Sequence, residues 1–76
     1  MKIEVAILHV LAASPRAIPA TVIRGFLPAL TGNPETLADI DAALDRLEAK
    51  GHARGTANED TGTLWKETAD GRLRIA

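Results

Sequence analysis

Asp45-Arg46-Leu47-Glu48-Ala49-Lys50-Gly51-His52-Ala53-Arg54-Gly55-Thr56 changes its period halfway along. As far as Lys50 the run consists mostly of good helix formers, with a cation in the last turn. Gly51 then stands where helices commonly leave through a left-handed residue. After Gly51 the period shortens, and Ala53-Arg54-Gly55-Thr56 reads as a short strand. A helix that ends on a glycine and passes directly into a strand is the joint from which the rest of the chain is read.

Upstream of the joint, Leu37, Ile40, Leu44 and Leu47 fall within about 80° of one another on a helical wheel, so they form one apolar stripe. Thr31-Gly32 makes the preceding turn. Asn33 is a good N-cap, Pro34 suits the first helical position, and Glu35 places negative charge at the positive end of the dipole. Downstream, Thr63-Leu64-Trp65-Lys66-Glu67 is a second strand, and the polar loop Ala57 to Gly62 closes a hairpin. Thr68 can N-cap a final helical turn through Arg72 and Ile75, although Asp70-Gly71 equally suits a tight turn into a third strand.

Two further helices precede the stripe. Ile3, Ile7, Leu8, Val10 and Leu11 recur at helical spacing with His9 opposite, and Ser14-Pro15 closes the segment because a residue before proline leaves the helical region. Lys2-Ile3-Glu4-Val5 also alternates like a strand, so an extended start is an open alternative. Pro19 fits a first helical position, followed by Val22, Ile23, Phe26, Leu27 and Leu30. Pro28 should end or kink that helix near Leu27.

The whole is 76 residues, 46% apolar and 25% charged, which suits one small globular domain over residues 1–76 and excludes a disordered polyelectrolyte. There is no cysteine, so no disulfide or thiolate site forms and a reducing compartment fits. The longest apolar stretch, Val5 to Ala13, contains His9 and is about half of the ~20 residues a bilayer crossing needs. With no signal-peptide pattern either, a cytoplasmic location is expected.

Three helices and a hairpin, a mainly α architecture with a small antiparallel β-hairpin, is the layout of the winged helix-turn-helix. Asp45-Arg46-Leu47-Glu48-Ala49-Lys50-Gly51 resembles the end of the recognition helix in the MarR-like type, where D-R-L-E-x-K-G leads into the first wing strand. Leu64-Trp65-Lys66-Glu67-Thr68-Ala69-Asp70-Gly71-Arg72 is similar to that family's second wing strand and its T-x-x-G-R helix start. The resemblance covers essentially the whole chain and implies duplex DNA as partner and transcriptional regulation as function. Carried over residue by residue, it implies nucleic-acid contacts at Thr36, Asp39, Ala42, Arg46, Arg54, Asn58, Lys66, Arg72 and Arg74.

Charge departs from that pattern. Where the family presents Ser, Thr and Arg ahead of the D-R-L-E run, this chain has Ala38, Asp39, Asp41 and Ala42, and its wing tip reads Asn58-Glu59-Asp60-Thr61-Gly62. From Asn33 to Gly62 there are seven acids (Glu35, Asp39, Asp41, Asp45, Glu48, Glu59, Asp60) and three bases (Arg46, Lys50, Arg54), a net of −4. The total is −1, so the other residues carry +3. Phosphate neutralisation supplies most non-specific DNA affinity, and such a face opposes it. The alternative reading is a protein-interaction module that keeps the scaffold and offers acidic helix 3 and the wing, or apolar helix 1, to another chain. A DNA contact would then fall to Arg16, Arg24, Arg54, Lys66, Arg72 and Arg74 in place of the usual helix face.

Other chemistry is poorly supplied. Ser14 is the only serine, His9 and His52 are the only histidines, and neither a catalytic triad nor a metal-ligand spacing emerges. No enzyme activity, cofactor, metal or small-molecule ligand is expected. Trp65 is expected to anchor packing in one cluster with Ile7, Leu11, Phe26, Ile40, Leu44 and Leu47. Val5, Ala12 and Ala13 lie on the other side of helix 1, which suggests a homodimer through that helix.

Overall fold

The computed structural model describes residues 1–76. In chain order the elements are α1 (Ile3–Ala13), β1 (Ile18–Pro19), α2 (Ala20–Thr31), α3 (Leu37–Ala49), β2 (Ala53–Asn58), β3 (Gly62–Glu67) and α4 (Ala69–Arg74). The strands form one antiparallel sheet in the order β1-β3-β2.

α1 is the central element, packed against α2, α3, β3 and α4. Its buried residues Ala6, Ile7, Leu8, Val10 and Leu11 span a wider arc than a one-sided stripe, because neighbours cover it on several sides. Val5 and Ala12 are half-buried within the chain itself, so the strip expected to pair two copies narrows to Ala13. α1 has no cation in its own last turn. Lys66 of β3 supplies one, its Nζ donating to the Leu11 carbonyl at 2.7 Å, where positive charge complements the helix dipole.

Pro19 does not open α2 from inside. It is extended at φ −76° and ψ 161° and pairs with Leu64, while Ile18 pairs with Trp65. A proline is tolerated here because β1 is an edge strand that needs no N–H at that position. α2 also runs through Pro28 to Gly32, whose φ of 77° ends it. The carbonyl left without a partner lies at Arg24 on the exposed side, where water can serve it.

Six of the seven expected core residues join the core, and Phe26 does not. It is 56% exposed. Ile23 and Leu27 are fully buried in the core cluster, whereas Phe26 sits on the flank of the same stripe, over a groove between α1 and α2.

α3 starts three residues later than Pro34. Thr36 is its N-cap, the hydroxyl oxygen accepting from the Asp39 N–H at 3.1 Å, and Asn33 instead folds back on Thr31, its side-chain amide donating to the Thr31 carbonyl. The joint at Gly51 forms as read. With φ at 78°, Gly51 donates its N–H to Glu48, and His52 donates to the Leu47 carbonyl at 2.8 Å, the paired bonds of a Schellman motif.

The hairpin is longer than expected, with Asn58 paired to Gly62 across a tip of three residues. Asn58 Oδ1 accepts from the N–H groups of Asp60 and Thr61, and Gly62 turns the chain at φ 79°. Gly55 pairs with Trp65, and a Cβ at that position would lie 2.9 Å from the Thr63 methyl and 3.0 Å from the indole, so the glycine leaves both side chains their space. After β3 the helical alternative is realised and not a third hairpin strand. The Thr68 hydroxyl accepts from the Gly71 N–H and donates to the Gly51 carbonyl at 2.6 Å.

Glu67 clamps these parts together. Its side chain is 3% exposed and meets Lys66 Nζ and Arg72 Nη2, the latter at 2.8 Å. Burial alone would push this carboxyl up. The hydrogen bonds and charges of Lys66 and Arg72 outweigh that and hold it below the usual carboxylate range. A depressed folded value means stability that is present above the unfolded pKa of about 4.3 and is lost as pH falls through the folded one. Glu67→Gln is therefore expected to cost about 1.5–3 kcal/mol near neutrality. In urea unfolding at decreasing pH, the gap between wild type and Glu67→Gln should close as Glu67 protonates. A gap that persists in strong acid would show that the clamp is not ionic.

Candidate nucleic-acid interface

α3 and the β2–β3 wing share one side of the molecule. Helical geometry puts Ala38, Ala42, Asp45 and Ala49 on the outermost ridge of α3, since the stripe through Ile40, Ala43, Leu44 and Leu47 is buried opposite. Three of these ridge residues end at a methyl group. Asp39 and Asp41 stand on either flank, both exposed.

The cations of α3 point elsewhere. Arg46 Nε lies 3.1 Å from Glu4 Oε2 and Lys50 Nζ lies 2.7 Å from Glu4 Oε1, so both reach back to the start of α1. The Lys50 hydrogen bond, working against burial and joined by Arg46, holds the Glu4 carboxyl below its ordinary range. Glu48 accepts from the Gly55 N–H at 3.1 Å and fastens the wing to α3. Asp39, Asp41, Asp45, Glu59 and Asp60 have no cationic partner, and Arg54 is the one cation between residues 33 and 62 without a carboxylate partner.

The nine expected contact residues therefore divide by what the fold already asks of them. Thr36 caps α3, Asn58 braces the turn at the wing tip, and Arg46 is held by Glu4. Lys66 is bound to Leu11 and Glu67, and Arg72 to Glu67. Asp39, Ala42, Arg54 and Arg74 are exposed and have no ionic partner. Sequence reasoning missed Glu4. It is the single acid before residue 35, and Arg46 and Lys50 are four apart on one helix face, but nothing local reports that α1 meets α3 at that end.

Ser14 and Trp65 serve the fold. The Ser14 hydroxyl donates to the Val10 carbonyl at 2.9 Å, and Trp65, 7% exposed, packs in the core. No group of three or more His, Cys, Asp or Glu residues is arranged to hold a metal ion. No helix is long and apolar enough to cross a membrane.

No family model matches the chain, and no curated protein does. Among solved structures, it is similar to a transcriptional regulator of the MarR family from Silicibacter pomeroyi, with a TM-score of 0.81 and 20% identity over 96% of this chain. It is similar also to the ferric uptake regulator Fur of Helicobacter pylori, whose structure has three functional metal-binding sites, with a TM-score of 0.79 and 16% identity over 91% of this chain. The chain spans 45% of the length of each. With the helix-turn-helix of α2 and α3, the β2–β3 wing and the β1 strand that completes the sheet, this chain has the winged-helix fold, in an arrangement close to that of the MarR-family regulator.

Proposed function

We propose that this chain is a cytoplasmic transcription-regulating module, its 76 residues acting as one unit. It contacts duplex DNA weakly by itself and works within an assembly that supplies the cations it lacks. The fold, similar to that of two regulators, supports the regulatory part of this reading. The weakness rests on one observation, that Arg46 and Lys50 are turned onto Glu4 and leave Arg54 alone among unpaired acids on α3 and the wing. Duplex contact then falls to Arg54 and Arg74, with Thr36, Ala42 and Asn58 giving at most backbone or methyl contacts. The module binds and does not catalyse.

With one or two phosphate contacts, log K should fall against log salt with a slope of about −1 to −2. Going from about 50 to 200 mM salt should cost only about 4- to 15-fold, against about 10³–10⁵ for proteins that make six to ten contacts. Fluorescence anisotropy of a random duplex across that range reads the slope directly, and Arg54→Ala should flatten it by about one. A slope steeper than about −5 would mean that cations held here in ion pairs are released to the phosphates.

A second reading is favoured by the same acidic face. Asp39, Asp41, Asp45, Glu59 and Asp60 would attract a basic protein surface as strongly as they repel a phosphate backbone. Complete absence of duplex binding would move the proposal to that reading.

A further inference from the structure

α2 leaves one side uncovered. It buries Ile23 and Leu27, while Val22 and Phe26, four residues apart, stand 43% and 56% exposed on the adjoining face, with Ala29 one turn further on. Val22 and Phe26 are two of the four large apolar side chains that the fold leaves exposed. Beside Phe26 a groove of about 410 Å³ opens between the helices, walled by His9, Val10 and Ala13 of α1 and by Ala29 and Leu30 of α2. No lysine, arginine or carboxylate lines it, and His9 is its one titratable group. Between Glu4 and Glu35 the only charged residues are Arg16 and Arg24. Arg24 lies about 160° from Phe26 around α2. In a chain that is 25% charged, two adjacent helices thus present an apolar surface without ions, the kind that marks an interface.

We propose that a second copy of this chain covers this face, in a two-fold dimer in which each Phe26 enters the groove of the other copy. The projecting ring and the hollow lie on one patch, and a two-fold axis fills both hollows at once with the same residues. Near the axis the two rings meet as an aromatic pair, which gains beyond its buried area when offset or edge-on. Charge selects this occupant. A two-fold sets every charge of a face near its like, which penalises a charged face and costs nothing here, whereas a strongly acidic or basic partner finds nothing to pair with. Size sets the strength. At about 1.5 Å per residue α2 is about 18 Å long, and two helices about 10 Å apart span about 20 Å, so each copy offers about 360 Å² in plan. That lies at the low end for specific association, so the dimer is expected at about 100 μM and not at nanomolar concentration. Arg54 and Arg74 do not line this groove, so the dimer stands or falls independently of duplex contact.

The test is sedimentation equilibrium of the whole chain from about 5 μM to about 1 mM, a range that brackets so weak an association. The average mass should rise from 8.0 kDa toward twice that value. Phe26→Asp should raise the dissociation constant at least about 30-fold, as expected on removing an aromatic anchor. Ala29→Arg, on the groove wall, should act in the same direction, and both positions are exposed, so the fold is kept. Leu73→Asp is the control, since Leu73 is 73% exposed but lies on α4, and it should leave the association unchanged. In a mixture of isotope-labelled and unlabelled chains, filtered NOEs should connect the Phe26 ring of one copy to the Ala13 and Leu30 methyls of the other. A monomer throughout the range, a dimer that resists both Phe26→Asp and Ala29→Arg, or a dimer lost with Leu73→Asp alone would overturn the proposal.

Discussion

Leu44→Ala is expected to remove about 2–5 kcal/mol of stability, the range for deleting a fully buried leucine when the surroundings relax only in part. Leu44 has no exposed surface and lies mid-helix in α3, within the cluster that joins Ile7 and Leu11 of α1 to Ile40, Leu47 and Trp65. A domain of this size has about 5–10 kcal/mol in hand, so up to half or more of it would go. With a urea slope of about 1 kcal/mol/M for so small a protein, the midpoint should drop by about 2–5 M. A drop of less than half a molar would mean that α3 does not face the core at this residue. Phe26→Ala is the control from the same sequence expectation. The ring is more than half exposed, and its removal should cost far less.

Gly71→Ala should be nearly as damaging, by the opposite mechanism of too much volume. A Cβ at Gly71 would lie 2.0 Å from the His52 carbonyl oxygen, which belongs to backbone and already accepts from the Thr68 N–H. Neither side can yield without loss. α4 would have to lift from the Gly51–His52 turn, drawing Arg72 away from Glu67 and loosening the Thr68 bond to Gly51. Overpacking of this kind costs about 1–3 kcal/mol or more, well above the helix propensity gained on replacing glycine. Gly25→Ala makes the comparison clean. That glycine is also helical but has nothing within 4 Å of its Cβ position, so the change should stabilise by about 0.5–1 kcal/mol. Thermal unfolding of the two variants should therefore move in opposite directions. Movement in the same direction would mean that α4 is not seated on His52.

What could be read from the chain alone followed the reach of each signal. The Gly51 joint, the hairpin and the Thr68 cap depend on residues within a few positions of one another, and each formed. β1 is two residues long and exists only because β3 offers an edge, so no local periodicity could reveal it. α3 starts at Leu37 and not at Pro34 because Asn33-Pro34 and Thr36 both carry cap chemistry, and Asn33 spends its side chain on Thr31. Phe26 stays outside the core because the apolar stripe along α2 is wider than the face that is covered. At the candidate interface the acidity of α3 was legible, but the withdrawal of Arg46 and Lys50 onto Glu4 depends on contacts some forty residues apart in sequence. That withdrawal makes the face more acidic than the residue count implied.

The most direct measurement compares duplex binding by the wild type and by Asp39→Ser combined with Asp41→Arg, at about 50 mM salt and upward, where even a few phosphate contacts register. Both residues are exposed on α3 and neither supports the core, so the fold should be unaffected. The expected result is weak, shallow salt dependence in the wild type and tighter binding in the variant, its slope steeper by about one. Binding unchanged by the substitutions would contradict the placement of α3 against the duplex. No retention of either protein would contradict DNA association and leave the acidic face to a basic protein partner.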